Sequence, residues 1–403
     1  PRMKPPRAAA KAWPCLALAF ALSLSIPAAL SSCAGRGAPG QPAAGGAAGP
    51  SADGQGGSDE ALLQARAKEL ALRLPVVDTH IDYPEVRKPA EDLLLGTSGN
   101  FDHPRAVAGG LDAAFLSIFV PAEDEEAGKA FAKAEERLSL IEADLAAHPE
   151  ALALAASPEE VARNAAAGRL SLALGLENAA PIEGRLERVA AFRKRGVSYV
   201  TLCHLKNNHV CDSANDESGP RWGGLSPFGR ELVAELNARG VMVDLSHVSE
   251  AAFWEALALT KAPPIASHSG LRSFTPGFER NLSDEMLAAL AAKGGVVQIP
   301  FGSSFLSEKY RQTMSYMALA TVRDVALVVD RAVQVAGVDH VGIGSDFDGV
   351  GFSLPRELRD VSMYPNLVRE LLRLGYSEEA IGKILGGNIL RVWGEAIGAG
   401  RLP

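Results

Sequence analysis

The chain is poor in cysteine and in positive charge, and each shortage argues against a class of site or partner. Only four of its 403 residues are cysteines, none at zinc-ribbon spacing, so a metal ion would have to be bound by histidines and carboxylates. Forty Lys and Arg residues against 48 Asp and Glu give a formal charge of −8. Nucleic-acid binding needs a basic surface for phosphate contacts, so we expect no nucleic-acid partner.

The chain also lacks an apolar run long enough to predict a membrane span. The apolar stretch from Leu16 to Leu30 is short, is interrupted by polar residues, and follows a basic segment, which is typical of an export signal. It ends in Leu-Ser-Ser-Cys at 30–33, which resembles a bacterial lipobox. We therefore predict a lipoprotein signal peptide over residues 1–33, with lipidation at Cys33; an ordinary cleaved signal with an incidental cysteine is the alternative. The protein would then be an exported bacterial lipoprotein, anchored to a membrane and facing the periplasm or the cell surface.

The rest of the chain divides into a tether and one domain. Residues 34–58 are almost all Gly, Ala, Pro, Ser and Gln, which predicts a flexible low-complexity tether. Residues 59–403 have ordinary globular composition and form the predicted single domain. It contains Cys203 and Cys211, whose spacing permits a disulfide without requiring one.

Short apolar runs alternate with longer amphipathic stretches after Pro75, a pattern that indicates parallel β-sheet. Eight such runs in succession favour an α/β fold of the (β/α)8 TIM-barrel type, with extra helices at the C-terminal end; an open doubly wound sheet is the alternative. The predicted strands lie at 76–82, 112–120, 171–177, 199–204, 241–246, 264–268, 295–300 and 340–345. The clearest predicted helices lie at 125–147, 185–195, 226–239, 249–260, 283–293 and 317–336.

Half of the eight histidines fall at the C-terminal ends of predicted strands: His80, His204, His247 and His268. In a barrel these strand ends converge on the face where active sites are built. His80 and Asp82 are two residues apart in a strand and so project to the same side, which suits one zinc ion. His247 and His268 would bind a second zinc ion.

Carboxylates end two further strands. Glu177 closes an apolar run, where burial is costly without a partner, and its two oxygens could bridge two metal ions; the alternative is a salt bridge to Arg or Lys. Asp346 follows the eighth strand and could move a proton between a metal-activated water and a leaving amine. Asp348 is the rival candidate for that role, or else caps a turn.

At these residues the chain resembles the membrane (renal-type) dipeptidases, which are zinc peptidases of the amidohydrolase superfamily. The resemblance runs from about Pro75 to about Val392. It is carried by several motifs in order: Asp-Thr-His-Ile-Asp at 78–82, Thr-Leu-Cys-His at 201–204, Gly-Leu-Ser-Pro-Phe-Gly at 224–229, Asp-Leu-Ser-His-Val-Ser at 244–249, Ser-His-Ser at 267–269, Arg-Asn-Leu at 280–282 and Gly-Ser-Asp-Phe-Asp-Gly at 344–349.

The resemblance implies a cofactor of two zinc ions per chain, with Glu177 bridging the two ligand pairs named above. It also implies that His204 stabilises the oxyanion and that Arg280 binds the C-terminal carboxylate of a dipeptide substrate. Asp346 would handle protons and contact the substrate amine. The zinc ions would share a water, lower its pKa and so provide the attacking hydroxide at neutral pH. The family further suggests tolerance of a D-residue at the second position and a homodimer.

Two positions depart from the family pattern. Asn178 stands after the bridging glutamate where the family often has Gly. Gly302 stands where mammalian members carry a substrate-contacting Tyr, so carboxylate recognition would be looser or differently shared.

Two other functions remain open. The first is a different binuclear metal-dependent amidohydrolase, acting on a lactone, a cyclic amide or a phosphotriester. Arg280 would then have no C-terminal carboxylate to bind. The second, a non-catalytic lipoprotein, would bind a peptide or a metal ion without turnover.

Overall fold

The computed structural model describes residues 53–400. Nine strands alternate with helices along this part of the chain. The strands are β1 Val77–Ile81, β2 Ala113–Phe119, β3 Leu152–Leu154, β4 Leu170–Glu177, β5 Val197–Thr201, β6 Met242–Asp244, β7 Ile265–Ala266, β8 Val296–Ile299 and β9 Val341–Ile343. The α-helices are α1 Asp53–Arg73, α2 Tyr83–Val86, α3 His103–Gly109, α4 Ala122–Glu126, α5 Ala130–Ala147, α6 Pro158–Ala166, α7 Glu187–Lys194, α8 Pro227–Ala238, α9 Glu250–Leu259, α10 Asp284–Ala292, α11 Ser303–Leu306, α12 Glu308–Thr313, α13 Val322–Ala336, α14 Tyr364–Arg373, α15 Glu378–Gly382 and α16 Asn388–Ala399.

Eight of these strands form a parallel barrel. They are hydrogen-bonded in the order β1-β2-β4-β5-β6-β7-β8-β9, and β3 pairs with β4 outside this path. Just beyond the first and last strands, the amide of Asp82 donates to the carbonyl of Phe347 at 2.8 Å, and the amide of Asp346 donates to the carbonyl of His80 at 3.0 Å. These bonds nearly close the ring, so the predicted (β/α)8 fold is confirmed.

Helix starts follow ordinary capping chemistry. A Ser or Thr side chain accepts a hydrogen bond from a backbone N–H of the first turn at the start of α8, α9, α10 and α13: Ser226, Ser249, Ser283 and Thr321. These caps satisfy orphan amides in the βα loops and fix where each helix leaves the mouth of the barrel.

The predicted C-terminal helices are present and close the opposite end of the barrel. Side chains of the barrel interior, such as Phe115 and Tyr199, form one buried cluster with Ile389 and Trp393 of α16. The Phe115 and Trp393 rings lie 4.9 Å apart. With that end filled, the cavity that holds the site lies at the C-terminal ends of the strands.

Some local elements differ from the sequence prediction. The helix predicted over 125–147 is split into α4 and α5 around Gly128, whose φ of +67° breaks the helical run. The helix predicted over 317–336 begins at Val322, after a 3-10 turn. Helices α3 and α6 and strand β3 were not predicted, because elements of nine residues or fewer carry little periodicity.

The N-terminal predictions fall mostly outside the described residues. The signal peptide over 1–33, the lipidated Cys33 and the predicted tether up to residue 52 lie there and stay predictions. Helix α1 begins at Asp53, within the range assigned to the tether. In the described part of the chain, no helix has the length and apolar character to cross a membrane.

Candidate active site

The predicted metal ligands converge at the C-terminal mouth of the barrel. His80 lies in β1, Glu177 ends β4, and His247 and His268 follow β6 and β7 within three residues. All four are buried. Glu177, His247 and His268 border a cavity of about 630 Å³, whose polar side also includes Asp82, His204, Asp346 and Asp348.

Glu177 stands at the centre of the imidazoles. Its Oε1 lies 3.2 Å from His247 Nε2, 3.4 Å from His268 Nε2 and 3.5 Å from His204 Nε2. Its Oε2 lies 3.4 Å from His80 Nε2 on the other side. Each oxygen of this carboxylate therefore faces a different part of the cluster, as a residue bridging two ions would.

The donor set fits metal binding. Three groups have ligand atoms within 4.8 Å of one another: His80–Glu177–His268, Glu177–His204–His247 and His80–Asp82–Asp346. His80 Nε2 is buried without a hydrogen-bond partner, and His247 Nε2 lies only 2.8 Å from His268 Nε2. Unsatisfied and mutually crowded nitrogens are what a metal ion would satisfy, and imidazole with carboxylate is a set that zinc accepts.

Protonation also favours cation binding at the centre. Burial opposes ionisation of Glu177, but the His80 and His204 imidazoles hold its pKa well below the usual range. Burial, together with the nearby Arg280 guanidinium, keeps the pKa values of His247 and His268 well below that of free histidine. Glu177 is therefore ionised and His247 and His268 are neutral, the forms that bind metal. His80 differs, because burial opposes its ionisation but Tyr199, Glu177 and Asp82 raise its pKa well above that of free histidine.

A tyrosine inside the barrel orients His80. The hydroxyl of Tyr199 donates to the carbonyl of Thr79 at 3.1 Å and lies 2.9 Å from His80 Nδ1. This contact leaves His80 Nε2 facing the cluster. Tyr199 reaches across only because position 175 is Gly: a Cβ there would lie 1.9 Å from the Tyr199 ring. Tyr199 was not among the predicted site residues, although its place in a strand next to the one that contains Gly175 was a usable signal.

A second chain of hydrogen bonds orients His268. Ser267 Oγ donates to Asp244 Oδ2 at 2.6 Å and lies 2.8 Å from His268 Nδ1. Asp244 also accepts from Thr201 Oγ1 at 2.5 Å. Asp244 therefore lies outside the candidate ligand groups and acts through Ser267. Such partners fix the ring orientation of a ligand histidine.

Arg280 lies behind the cluster and does not line the cavity. It is buried, with Nη1 donating to Ser269 Oγ and Nη2 to the carbonyl of His268, both at 2.8 Å. Its Nε has no hydrogen-bond partner. Burial lowers its pKa to about 10, so it stays positive at neutral pH. A buried cation with an unpaired N–H group suits an incoming carboxylate.

Both predicted carboxylates after β9 face the cavity. Burial and then Asp82 raise the pKa of Asp346 to about 8, which suits a group that takes up and releases a proton near neutral pH. Asp348 does stabilise its loop, because Oδ1 accepts from the amide of Asn100 at 2.5 Å. Its Oδ2, however, is buried without a hydrogen-bond partner, so this oxygen remains available for a role other than capping.

Backbone strain is concentrated at this mouth. Asn178, His247, Asp346 and Asp348 all have φ between +63° and +76°, in the left-handed region that non-glycine residues rarely adopt. Asparagine tolerates this region better than most residues, and Asn178 Nδ2 also donates to the carbonyl of Val120 at 2.8 Å. The departure from Gly at position 178 is thereby explained.

The remaining described histidines have structural partners or lie apart from the site. His209 Nδ1 lies 2.8 Å from Glu125 Oε1, His340 Nδ1 lies 2.7 Å from the carbonyl of Gly295, and His148 Nε2 lies 3.0 Å from Asp92 Oδ1. His103 starts α3, away from the cavity. Cys203 and Cys211 are buried free thiols.

A (β/α)8 barrel with histidines and carboxylates converging at its mouth defines a class, the metal-dependent barrel hydrolases. Comparison with known proteins identifies the family within this class. The sequence model of the membrane dipeptidase family, peptidase family M19, matches residues 64–400. This chain belongs to that family of metallo-dipeptidases.

Relatives agree with this placement. Dipeptidase ataJ of Aspergillus terreus is 35% identical over 365 residues, which cover 81% of this chain and 86% of that protein. Dipeptidase tcpJ of Claviceps purpurea is 36% identical over 315 residues, covering 76% of this chain and 70% of that protein.

Two solved structures share the fold closely. The probable dipeptidase PvdM from Pseudomonas aeruginosa has a TM-score of 0.75 and 28% identity, covering 84% of this chain and 99% of the other. A metallo peptidase from Rhodobacter sphaeroides, bound to a phosphinate mimic of the dipeptide L-Ala-D-Ala, has a TM-score of 0.72 and 28% identity, covering 80% and 99%.

Proposed function

We propose that this protein is a zinc-dependent dipeptidase that uses two metal ions and accepts dipeptides with a C-terminal D-residue. The observation that carries the proposal is Glu177, an ionised carboxylate buried among four imidazoles, each of its oxygens facing a different side of the cluster. The D-residue preference is supported by the L-Ala-D-Ala mimic bound to the Rhodobacter relative.

In this proposal His80 and Asp82 hold one zinc ion, His247 and His268 hold the other, and Glu177 bridges them. The ions would supply a Lewis acid and lower the pKa of water at the site. His204 borders the cavity beside Glu177 and would donate to the oxygen of the peptide carbonyl as negative charge develops there.

The protein's own groups would bind the two ends of the dipeptide. Arg280 would donate to the C-terminal carboxylate through its unpaired Nε–H group. Asp346 would receive a proton and deliver it to the leaving amine, since its pKa of about 8 lets both forms exist near neutrality. A site that engages both charged ends would exclude longer peptides.

The test is hydrolysis of Gly-D-Ala, L-Ala-D-Ala and matched tripeptides by the purified protein, with zinc and with a chelator. We expect chelator-sensitive cleavage of the dipeptides alone. Absence of cleavage by folded, zinc-loaded protein would contradict the proposal and favour a lactone, cyclic amide or phosphotriester substrate, or a binding role.

Arg280→Ala separates these substrates. Because a hydrogen bond to a charged group contributes about 1.5–3 kcal/mol, the KM for dipeptides should rise about 10- to 150-fold. Arg331→Ala is the matched control, since Arg331 pairs with Asp284 on the outer helices, away from the cavity. An unchanged KM in Arg280→Ala would remove the carboxylate-binding role.

We further propose, from the sequence alone, export and lipid anchoring at Cys33, and a homodimer from the family resemblance. Mass spectrometry of the mature N-terminus and light scattering of the purified protein test these two points.

A further inference from the structure

The cavity extends beyond the polar cluster to a second wall that is mostly apolar. Phe305, Tyr310 and Met314 form one part of it, along α11, α12 and the residue after α12. Val350 and Phe352, in the loop after β9, form the other part. We refer to these five residues as the apolar wall.

The two parts of the apolar wall meet at Gly302. A Cβ at this position would lie 2.8 Å from Val350 Cγ1 and 3.2 Å from Phe305 Cδ2. Val350 and Phe305 therefore occupy the space into which a side chain at position 302 would project. The wall is continuous because this position is glycine.

The outer part of the wall exposes large side chains that the fold does not use. Phe352 is 99% exposed and Met314 is 68% exposed, the latter on a backbone with a φ of +48°. Single exposed apolar residues are common, but these two border one concave cavity together with Phe305 and Val350. Clustered apolar side chains around a few polar groups are the composition of a ligand pocket.

The position of Arg280 indicates which part of a substrate meets this wall. Its guanidinium carbon lies 5.3 Å from the centre of the Phe305 ring. A C-terminal carboxylate bound at Arg280 would therefore place the side chain of that same residue beside Phe305. The carboxylates of Asp82, Asp346 and Asp348 lie on the polar side of the cavity, which suits the charged amine.

Resting on the proposed dipeptidase function, we propose that the apolar wall is a specificity subsite for a bulky apolar side chain on the C-terminal residue of the dipeptide. A cavity of about 630 Å³ falls in the range, about 300–1,000 Å³, that accommodates ligands of drug size. Glycine or alanine at the C-terminal position would leave Phe352 and Met314 without contact. A Phe or Leu side chain would bury apolar surface against the wall that glycine or alanine would leave exposed.

The experiment compares Gly-Phe and Gly-Leu with Gly-Ala and with the reversed Phe-Gly and Leu-Gly. We expect kcat/KM to be about tenfold or more higher for Gly-Phe and Gly-Leu than for the other three, the size of effect that a few methylenes in an apolar pocket produce. Equal values across the series, or a preference for the reversed pair, would overturn the subsite.

Variants then locate the effect. Phe352→Ala and Met314→Ala should each lower kcat/KM for Gly-Phe about three- to tenfold and leave Gly-Ala unchanged. Leu95→Ala is the matched control, an 85% exposed leucine that does not line the cavity, and should change neither substrate.

The outcomes separate the subsite from the function on which it rests. Cleavage of Gly-Ala by every variant, with no selective loss of Gly-Phe, would overturn the subsite and keep the dipeptidase. Altered oligomeric mass in Phe352→Ala without a change in selectivity would also overturn it, and would mark this rim as a contact between copies. No cleavage of any dipeptide by the zinc-loaded protein would overturn both.

Discussion

Removing the Tyr199 hydroxyl tests whether the barrel interior tunes the metal ligands. The change Tyr199→Phe keeps the ring, which packs in the buried cluster with Phe115. It removes the one group that contacts both His80 Nδ1, at 2.9 Å, and the carbonyl of Thr79, at 3.1 Å. Both partners are fully buried, so water has no ready path to replace the hydroxyl.

The expected size of the effect follows from these two contacts. Leaving a buried polar group unsatisfied costs about 1–3 kcal/mol, and two groups lose a partner, so we expect the metal-free variant to lose about 2–6 kcal/mol of stability. Loss of a partner that orients a ligand histidine typically weakens metal affinity by about 10- to 100-fold. The His80 ring, no longer held at Nδ1, would sample orientations that turn Nε2 away from Glu177.

The assay measures metal affinity by chelator competition and stability by urea unfolding of the chelated protein. Tyr376→Phe is the control, because the Tyr376 hydroxyl also donates a hydrogen bond, to Asp330 Oδ1 at 2.8 Å, but outside the barrel, between the loop after α14 and α13. The control should lose stability without losing metal affinity. Wild-type affinity in a correctly folded Tyr199→Phe protein would refute the orienting role.

Three further changes test neighbouring parts of the site. Gly175→Ala places a Cβ 1.9 Å from the Tyr199 ring, so it should lower the free energy of unfolding by about 1–3 kcal/mol or more and weaken metal binding. Unchanged stability and metal affinity would mean that the ring can shift freely. Ser267→Ala breaks the contact to His268 Nδ1 and should weaken metal binding about 10- to 100-fold in the same competition assay. Burial raises the pKa of Asp348 to about 6, against about 4 in unfolded chains, so the folded state holds this proton more tightly. The chelated protein should therefore lose stability as pH rises from about 4 to about 6, and Asp348→Asn should remove that loss in urea titrations.

The barrel, and the convergence of the predicted ligand residues at one face, could be predicted from local sequence pattern. Eight apolar runs separated by amphipathic stretches predict parallel strands, and each run reappears as a strand. Because parallel strands point the same way, residues at their C-terminal ends must meet at one face. The sequence thus predicted that His80, Glu177 and His268 lie close together, although nearly 190 residues separate the first from the last.

Other features depend on which side chains meet across the fold, and strand order alone does not specify this. The contact of Tyr199 with His80 spans 119 positions and needs the space left by Gly175. The burial of Arg280 against His268 and Phe305 is likewise set by how its loop folds back on the mouth.

The apolar wall shows the same limit. Its two parts, at 305–314 and 350–352, come from segments with no regular periodicity, and neither identifies a pocket alone. They become one surface only because the loops after β8 and β9 pack against each other at Gly302. The periodicity of the strands thus determined the barrel fold and which residues lie at its C-terminal mouth. The packing of the loops determined how those residues are oriented and what shape of substrate the cavity can accept.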